Sequence, residues 1–146
     1  VPGSLVIQIA QSDEQISECL SVISELRPHI AGHEFLQRIR QQQTQGFQMA
    51  FVRDSETNSI VCVAGFRLGL NLAWGKFLYV DDLVTASSAR STGCGKAMIQ
   101  WLKELARSEG CDQFHLDSGT QRKDAHRFYE REGLTITSYH FATTLQ

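Results

Sequence analysis

Between Thr85 and Met98 the chain passes from an apolar run, through Arg90-Ser91-Thr92-Gly93-Cys94-Gly95, into a regular amphipathic helix. No other passage limits the fold as tightly. Met98, Trp101, Leu102 and Leu105 recur at i, i+3, i+4 and i+7, so one face of this helix must be buried. The helix starts at about Lys96, and Gly110 is its natural stop. The residues before the loop, 77–85, are apolar except for Asp81 and Asp82 and read as a strand. A helix with one apolar face directly behind a buried strand calls for a sheet that it can cover.

The rest of the chain supplies that sheet. Residues 5–10 read as a short strand. Ser12 and Gln15 fit a capping box, and Ile16, Cys19, Leu20 and Ile23 follow at helical spacing as far as Arg27-Pro28. Phe35, Leu36 and Ile39 predict a second short helix that closes near Gly46. Residues 47–53 and 60–66 read as strands around the turn formers 54–59, and residues 69–75 as a loop. Residues 113–117 form a short strand, Ala125, Phe128 and Tyr129 mark a last helix ended by Gly133, and residues 134–141 read as a final strand. The order is β-α-α-β-β-β-α-β-α-β, an α/β chain of α+β character. Its antiparallel front half and β-α-β-α-β rear half predict a central mixed sheet with helices on both faces.

At 146 residues the chain fits a single domain spanning 1–146, with residues 1–4 set aside as an added or disordered extension. The formal net charge of −2 argues against a nucleic-acid partner bound by neutralising many phosphates, so any anion site must be local. No apolar stretch is long enough to span a membrane, so no membrane partner is expected. Cys19, Cys62, Cys94 and Cys111 form no C-x-x-C pair and no zinc pattern, so no metal is expected and a reduced, cytoplasmic chain is.

The loop has a definite chemistry. Glycine lets the backbone approach a ligand closely. The first N–H groups of a helix lack internal partners, and the dipole places roughly half a positive charge there. Arg90 and Lys96 add full charges, and the whole suits a phosphate or pyrophosphate. The competing reading is a plain strand-to-helix turn with solvated cations. Two other phosphate loops are excluded. A Walker A loop needs Gly at Arg90 and Ser or Thr at Ala97, and a dinucleotide fingerprint needs Gly at Met98.

Arg90-x-x-Gly93-x-Gly95, set between a strand and an amphipathic helix, resembles the acyl-CoA loop of the GNAT superfamily of N-acetyltransferases. The segment Ala125-His126-Arg127-Phe128-Tyr129-Glu130-Arg131-Glu132-Gly133-Leu134 resembles that superfamily's later motif, and the order of elements agrees along nearly the whole chain. Two departures stand out. Arg122 occupies a position where many members carry a cofactor-touching Asn, and Leu134 replaces the commoner Phe.

The resemblance implies an enzyme that moves an acetyl group from acetyl-CoA to a primary amine by direct attack. It implies cofactor contacts from Arg90, Ser91, Thr92, Gly93, Cys94, Gly95 and Lys96, with the backbone of Leu83, Val84 and Thr85 pairing with the pantetheine arm. It casts Tyr129 as general acid to the departing thiolate, against a reading as a core tyrosine. Asp81 and Asp82 are the candidates for base or amine anchor, because acidic residues in an apolar strand are costly without a partner. Alternation along the strand lets only one face a given site unless a bulge intervenes, and Asp82 is preferred. One carboxylate at a sheet end and the other paired with an arginine is the competing reading. The carboxylates, with Glu34, hint at a cationic acceptor, either a small-molecule amine or a protein amine. His29, His33, Phe35 and Trp74 are further candidates for lining its pocket. A homodimer stays open, as does a non-catalytic acyl-CoA-binding sensor.

Overall fold

The computed structural model describes residues 5–146, so the extension at 1–4 lies outside the described residues. The chain forms two compact units, one running to His115 and the other from Leu116 to Gln146.

In the first unit, which holds all of β5 but its last residue, β1 (Ile7–Ile9), β2 (Phe47–Arg53), β3 (Ile60–Asn71), β4 (Gly75–Thr85) and β5 (Gln113–Leu116) lie in that order in one sheet. The first four pair antiparallel. The helices α1 (Asp13–Glu18), α2 (Leu20–Leu26) and α3 (Gly32–Gln43) precede β2, and α4 (Cys94–Ser108) connects β4 to β5. Both faces of the sheet are covered, since neighbours such as Cys62 and Val63 are both fully buried. Phe47, Met49, Phe51, Val63 and Val84 share one face and pack with Ile16, Val22, Ile23, Phe35 and Ile39 of the first three helices. Phe66, of opposite parity to Val63 along β3, meets Trp101 of α4 edge-on at 6.3 Å. Met98, Ile99 and Leu102 of α4 are fully buried, as the helical spacing requires.

The helix expected from the Ser12 cap to Arg27 is divided at Cys19. The Cys19 N–H bonds Ile16 O, three residues back. Its thiol takes the Gln15 carbonyl at 3.4 Å, the acceptor that a continuous α-helix would give to that N–H. The capping box is present. Ser12 Oγ accepts from Gln15 N–H at 3.1 Å, and Gln15 Oε1 accepts from the N–H of Ser12 at 3.1 Å and of Gln11 at 2.9 Å.

Two expectations are corrected. Residues 69–75 are mostly not loop: β3 and β4 form one long hairpin paired as far as Asn71 and Gly75. Gly69 serves close approach rather than a turn, for a Cβ there would lie 2.6 Å from Phe77 Cζ. The turn is tightened by Trp74 N–H donating to Asn71 Oδ1 at 2.6 Å. The final strand expected at 134–141 is absent from the described residues. That segment makes no strand ladder, and Ile136, Tyr139 and Phe141 are exposed. A strand is defined by its partner's hydrogen bonds, which β-branched and aromatic side chains alone cannot provide.

The second unit carries α5 (Lys123–Arg131). Gly133 ends it at φ +91°, with Gly133 N–H to Glu130 O and Leu134 N–H to Tyr129 O.

Candidate active site

The chain leaves β4 with Leu83, Val84 and Thr85 laddered to Ala64, Val63 and Cys62 of β3. Ala86 N–H continues the ladder to Val61 O at 2.7 Å. A single 3₁₀ turn, Ser87–Ala89, then leads into the glycine loop. Thr92 Oγ1 donates to Ala89 O at 2.5 Å and lies 3.2 Å from Cys94 Sγ, which ties the loop down from within.

The helix α4 begins at Cys94, two residues earlier than the spacing suggests, with Gly93 as its N-cap at φ +92°. Ser91 also has positive φ, at 65°. A Cβ on Gly93 would meet nothing within 4 Å, so the left-handed backbone, rather than crowding, demands glycine. The first intrahelical bond runs from Ala97 N–H to Gly93 O. The N–H groups of Cys94, Gly95 and Lys96 therefore lack intrahelical acceptors. Arg90, Ser91, Gly93 and Lys96 are exposed beside them, whereas the Cys94 side chain is buried. The cysteine thus contributes backbone to this loop and its thiol to the core. The arrangement has the donors and charge to hold a phosphate or pyrophosphate.

One neighbour was not legible in the sequence. Glu25, on α2, accepts from Ser87 N–H at 3.0 Å and lies 3.6 Å from the Arg90 guanidinium. It holds the start of the loop against α2.

The paired carboxylates behave differently from the alternation rule. The register slips between Gly65 and Phe66: Gly65 faces Asp82, Phe66 faces Val80, and Asp81 is the extra residue on β4. This bulge sends both carboxylates to the face that carries Phe47 and the first three helices. Asp82 Oδ1 accepts from Arg27 Nε at 2.8 Å. Asp81 accepts a two-pronged contact from Arg67, at 2.9 Å from Nε and 2.8 Å from Nη2. Arg27 Nη2 also reaches the Asp81 carbonyl at 3.4 Å. Asp81 holds the Arg67 guanidinium above its ordinary pKa, chiefly through that hydrogen bond. The Arg67 guanidinium lies 5.5 Å from the centre of the Phe47 ring. Gly65 leaves room for this cluster, since a Cβ there would come within 2.5 Å of Phe47 Cζ and 3.3 Å of Asp82 Oδ2.

Both carboxylates are therefore ion-paired, and the local acidity that hinted at a cationic acceptor is cancelled by Arg27 and Arg67. Neither arginine was singled out from the sequence. Arg27 read only as a helix end, and its partner is 55 residues away.

Of the other candidates, Phe35 is buried in the core and His33 is exposed, 3.8 Å from Glu34. Trp74 stacks on His115 with ring centres 3.4 Å apart and meets Phe77 edge-on. No group of three or more metal-ligating side chains occurs among the described residues.

Tyr129 belongs to the second unit and sits half-buried on α5, its ring 5.4 Å from that of Phe128. Burial pushes its phenol above the usual range, and the charge and hydrogen bond of Arg122 partly offset this. Arg122 is the N-cap of α5 and makes no side-chain capping bond.

Comparison with known proteins gives this site its context. Residues 14–134 match the Acetyltransferase (GNAT) family. The "Uncharacterized N-acetyltransferase YhdJ" of Bacillus subtilis (strain 168) is 36% identical over 131 residues, 89% of this chain and 92% of that one. An aminoalkylphosphonate N-acetyltransferase of Salmonella typhimurium is 33% identical over 66 residues, 45% of this chain and 43% of that one. The crystal structure of an acetyltransferase from Trypanosoma brucei, 25% identical, superposes with a TM-score of 0.79 over 97% of this chain and 100% of that one. The glycine loop, the sheet it leaves and the family match agree: this chain belongs to the GNAT family of acetyltransferases.

Proposed function

We propose that this chain transfers an acetyl group from acetyl-CoA to a primary amine by direct attack, without a covalent enzyme intermediate. The observation that carries the reading is the opening of α4: a left-handed Gly93 with free space beside it, three N–H groups without intrahelical acceptors, and the cations of Arg90 and Lys96. These groups are the ones that would hold the cofactor's pyrophosphate, with Ser91 and Thr92 closing the loop. Leu83, Val84 and Thr85 would offer strand backbone to the pantetheine arm, a β-augmentation by a ligand.

The bound thioester supplies an activated acyl carbon and a leaving thiolate. The protein's part is to orient the amine, take its proton and return one to the sulfur. An alkyl ammonium has a pKa near ~10.4, so the acceptor must lose a proton before it attacks. Asp82 is the better anchor for that ammonium, since one arginine nitrogen engages it, whereas Asp81 is held by two. Tyr129 is the proton donor. A tyrosine phenol is already protonated at neutral pH, the form that a general acid needs, and burial shifts Tyr129 further that way. The likeness to an aminoalkylphosphonate N-acetyltransferase supports a small-molecule amine as acceptor.

The test is a thiol-release assay with acetyl-CoA and a panel of primary amines, run beside Tyr129→Phe. Turnover that falls in the variant, with acetyl-CoA affinity kept, supports the assignment. Acetyl-CoA binding with no turnover on any amine favours the non-catalytic sensor.

A further inference from the structure

We propose that the Arg27–Asp82 and Asp81–Arg67 pairs form the acceptor subsite and select an amine that also carries an anionic group, such as a phosphonate, phosphate or carboxylate. This rests on the acetyltransferase reading and names the substrate class of that site.

The inference follows from charge balance at the bulge. The cluster holds two guanidinium groups and two carboxylates; the Asp82, Asp81 and Arg67 side chains are 20%, 23% and 29% exposed, and that of Arg27 is 43% exposed. The bulge brings both carboxylates to one face of the sheet, and Phe47 and the first three helices lie on that face. An ammonium arriving alone must draw Asp82 away from Arg27 and leave a partly desolvated guanidinium without its counter-charge. An anion arriving alone leaves a carboxylate in the same position. Stripping one partner from such a pair is the costly event, more so than forming or omitting the pair as a whole. An acceptor with both charges avoids it, because its ammonium replaces an arginine at Asp82 and its anion replaces a carboxylate at Arg27.

The donors for the anion are already in place. Each guanidinium has five N–H groups in a fixed fork. Arg27 uses Nε and Nη2, and Arg67 uses Nε and Nη2, leaving Nη1 of both without an acceptor among the described residues. Arg67 is further steadied by the Phe47 ring, so it is held in position rather than loosely solvated. Paired guanidinium edges match the oxygens of a phosphonate or carboxylate better than a point charge does.

The experiment uses the whole chain saturated with CoA, so that it needs no turnover. Three amines built on the same three-carbon chain, 3-aminopropylphosphonate, propylamine and 1,3-diaminopropane, are titrated calorimetrically. The phosphonate is expected to bind about tenfold or more tighter than the other two, as charge-assisted bonds to an arginine imply. In Arg27→Gln that advantage is expected to shrink to about twofold, and propylamine, which no longer has to strip Asp82 from a guanidinium, is expected to bind tighter. Arg67→Gln is expected to do the same, with the unfolding temperature of both variants recorded. Equal binding of the three amines, binding by none, tighter binding of the diamine, or an advantage that survives Arg27→Gln in folded protein overturns the inference and leaves the acetyltransferase reading standing. Failure of CoA itself to bind removes that reading and this inference with it.

Discussion

Replacing Gly65 with alanine tests how the bulge is packed. A Cβ at this position would lie 2.5 Å from Phe47 Cζ, 2.7 Å from Phe47 Cε1 and 3.3 Å from Asp82 Oδ2. The Phe47 ring has little freedom to yield, since it is only 3% exposed and packs in the core with the first three helices. Forcing a methyl group into such a site typically costs about 1–3 kcal/mol. For a chain of this size, a loss of about 1 kcal/mol lowers the midpoint by about 2–4 °C. The expected fall for Gly65→Ala is therefore between about 2 and 12 °C, read by thermal unfolding. The ring must also move from beneath Arg67, which loosens the Asp81 pair. The double variant Gly65→Ala/Phe47→Leu removes the ring edge that the methyl would strike, so it should cost less than the sum of the two single changes. A Gly65→Ala protein that melts with the wild type, or a double variant whose losses simply add, would refute this picture of the bulge.

Other consequences can be checked in parallel. Tyr129→Phe should lower kcat by about 10²–10⁴-fold and leave the acetyl-CoA KM nearly unchanged, as expected for a proton donor. A large KM effect instead would mark a packing role. Cys19 and Cys62 are buried thiols pushed from an ordinary 9.0 up to about 12, in both cases chiefly by burial. Because the folded chain keeps these protons longer than the unfolded chain, stability should be full below about pH 9 and fall as pH rises toward 12, by about 1.4 kcal/mol per pH unit for each thiol. Urea unfolding at pH 8, 9 and 10 measures this, and Cys19→Ala should flatten the slope; a flat wild-type profile would contradict it. Ser12→Ala removes one half of the capping box on α1 and should cost about 1 kcal/mol in the same unfolding assay.

The parts of the fold that sequence patterning revealed are those governed by local rules. The α4 face of Met98 and Leu102, the capping box of Ser12 and Gln15, and the Gly93 turn each depend on residues within one or two turns of chain. Where distant parts of the chain decide the outcome, patterning failed. Gly69 reads as loop, yet the Phe77 ring eight residues on makes it a strand residue. Alternation sends Asp81 and Asp82 to opposite faces, and a bulge set by the pairing of β3 and β4 sends them to the same one. Arg27 and Arg67 meet their carboxylates across 55 and 14 residues, a pairing that only the hairpin register and the α2 packing reveal. Glu25 reaches Ser87, just ahead of the glycine loop, across 62 residues for the same reason. Residues 134–141 have the β-branched and aromatic residues of a strand without the ladder that makes one.

Everything proposed for this chain depends on the loop from Arg90 to Lys96 binding the cofactor's pyrophosphate. Calorimetric titration of acetyl-CoA into the wild type, Arg90→Ala and Gly93→Asp tests it most directly. Aspartate at Gly93 puts a carboxylate where the phosphates should lie, at a backbone φ of +92° that a side chain tolerates poorly. Saturable binding by the wild type, clear weakening in Arg90→Ala and loss in Gly93→Asp are expected, with both variants still folded. Wild-type affinity retained in both variants, or no binding by folded wild-type protein, would contradict it.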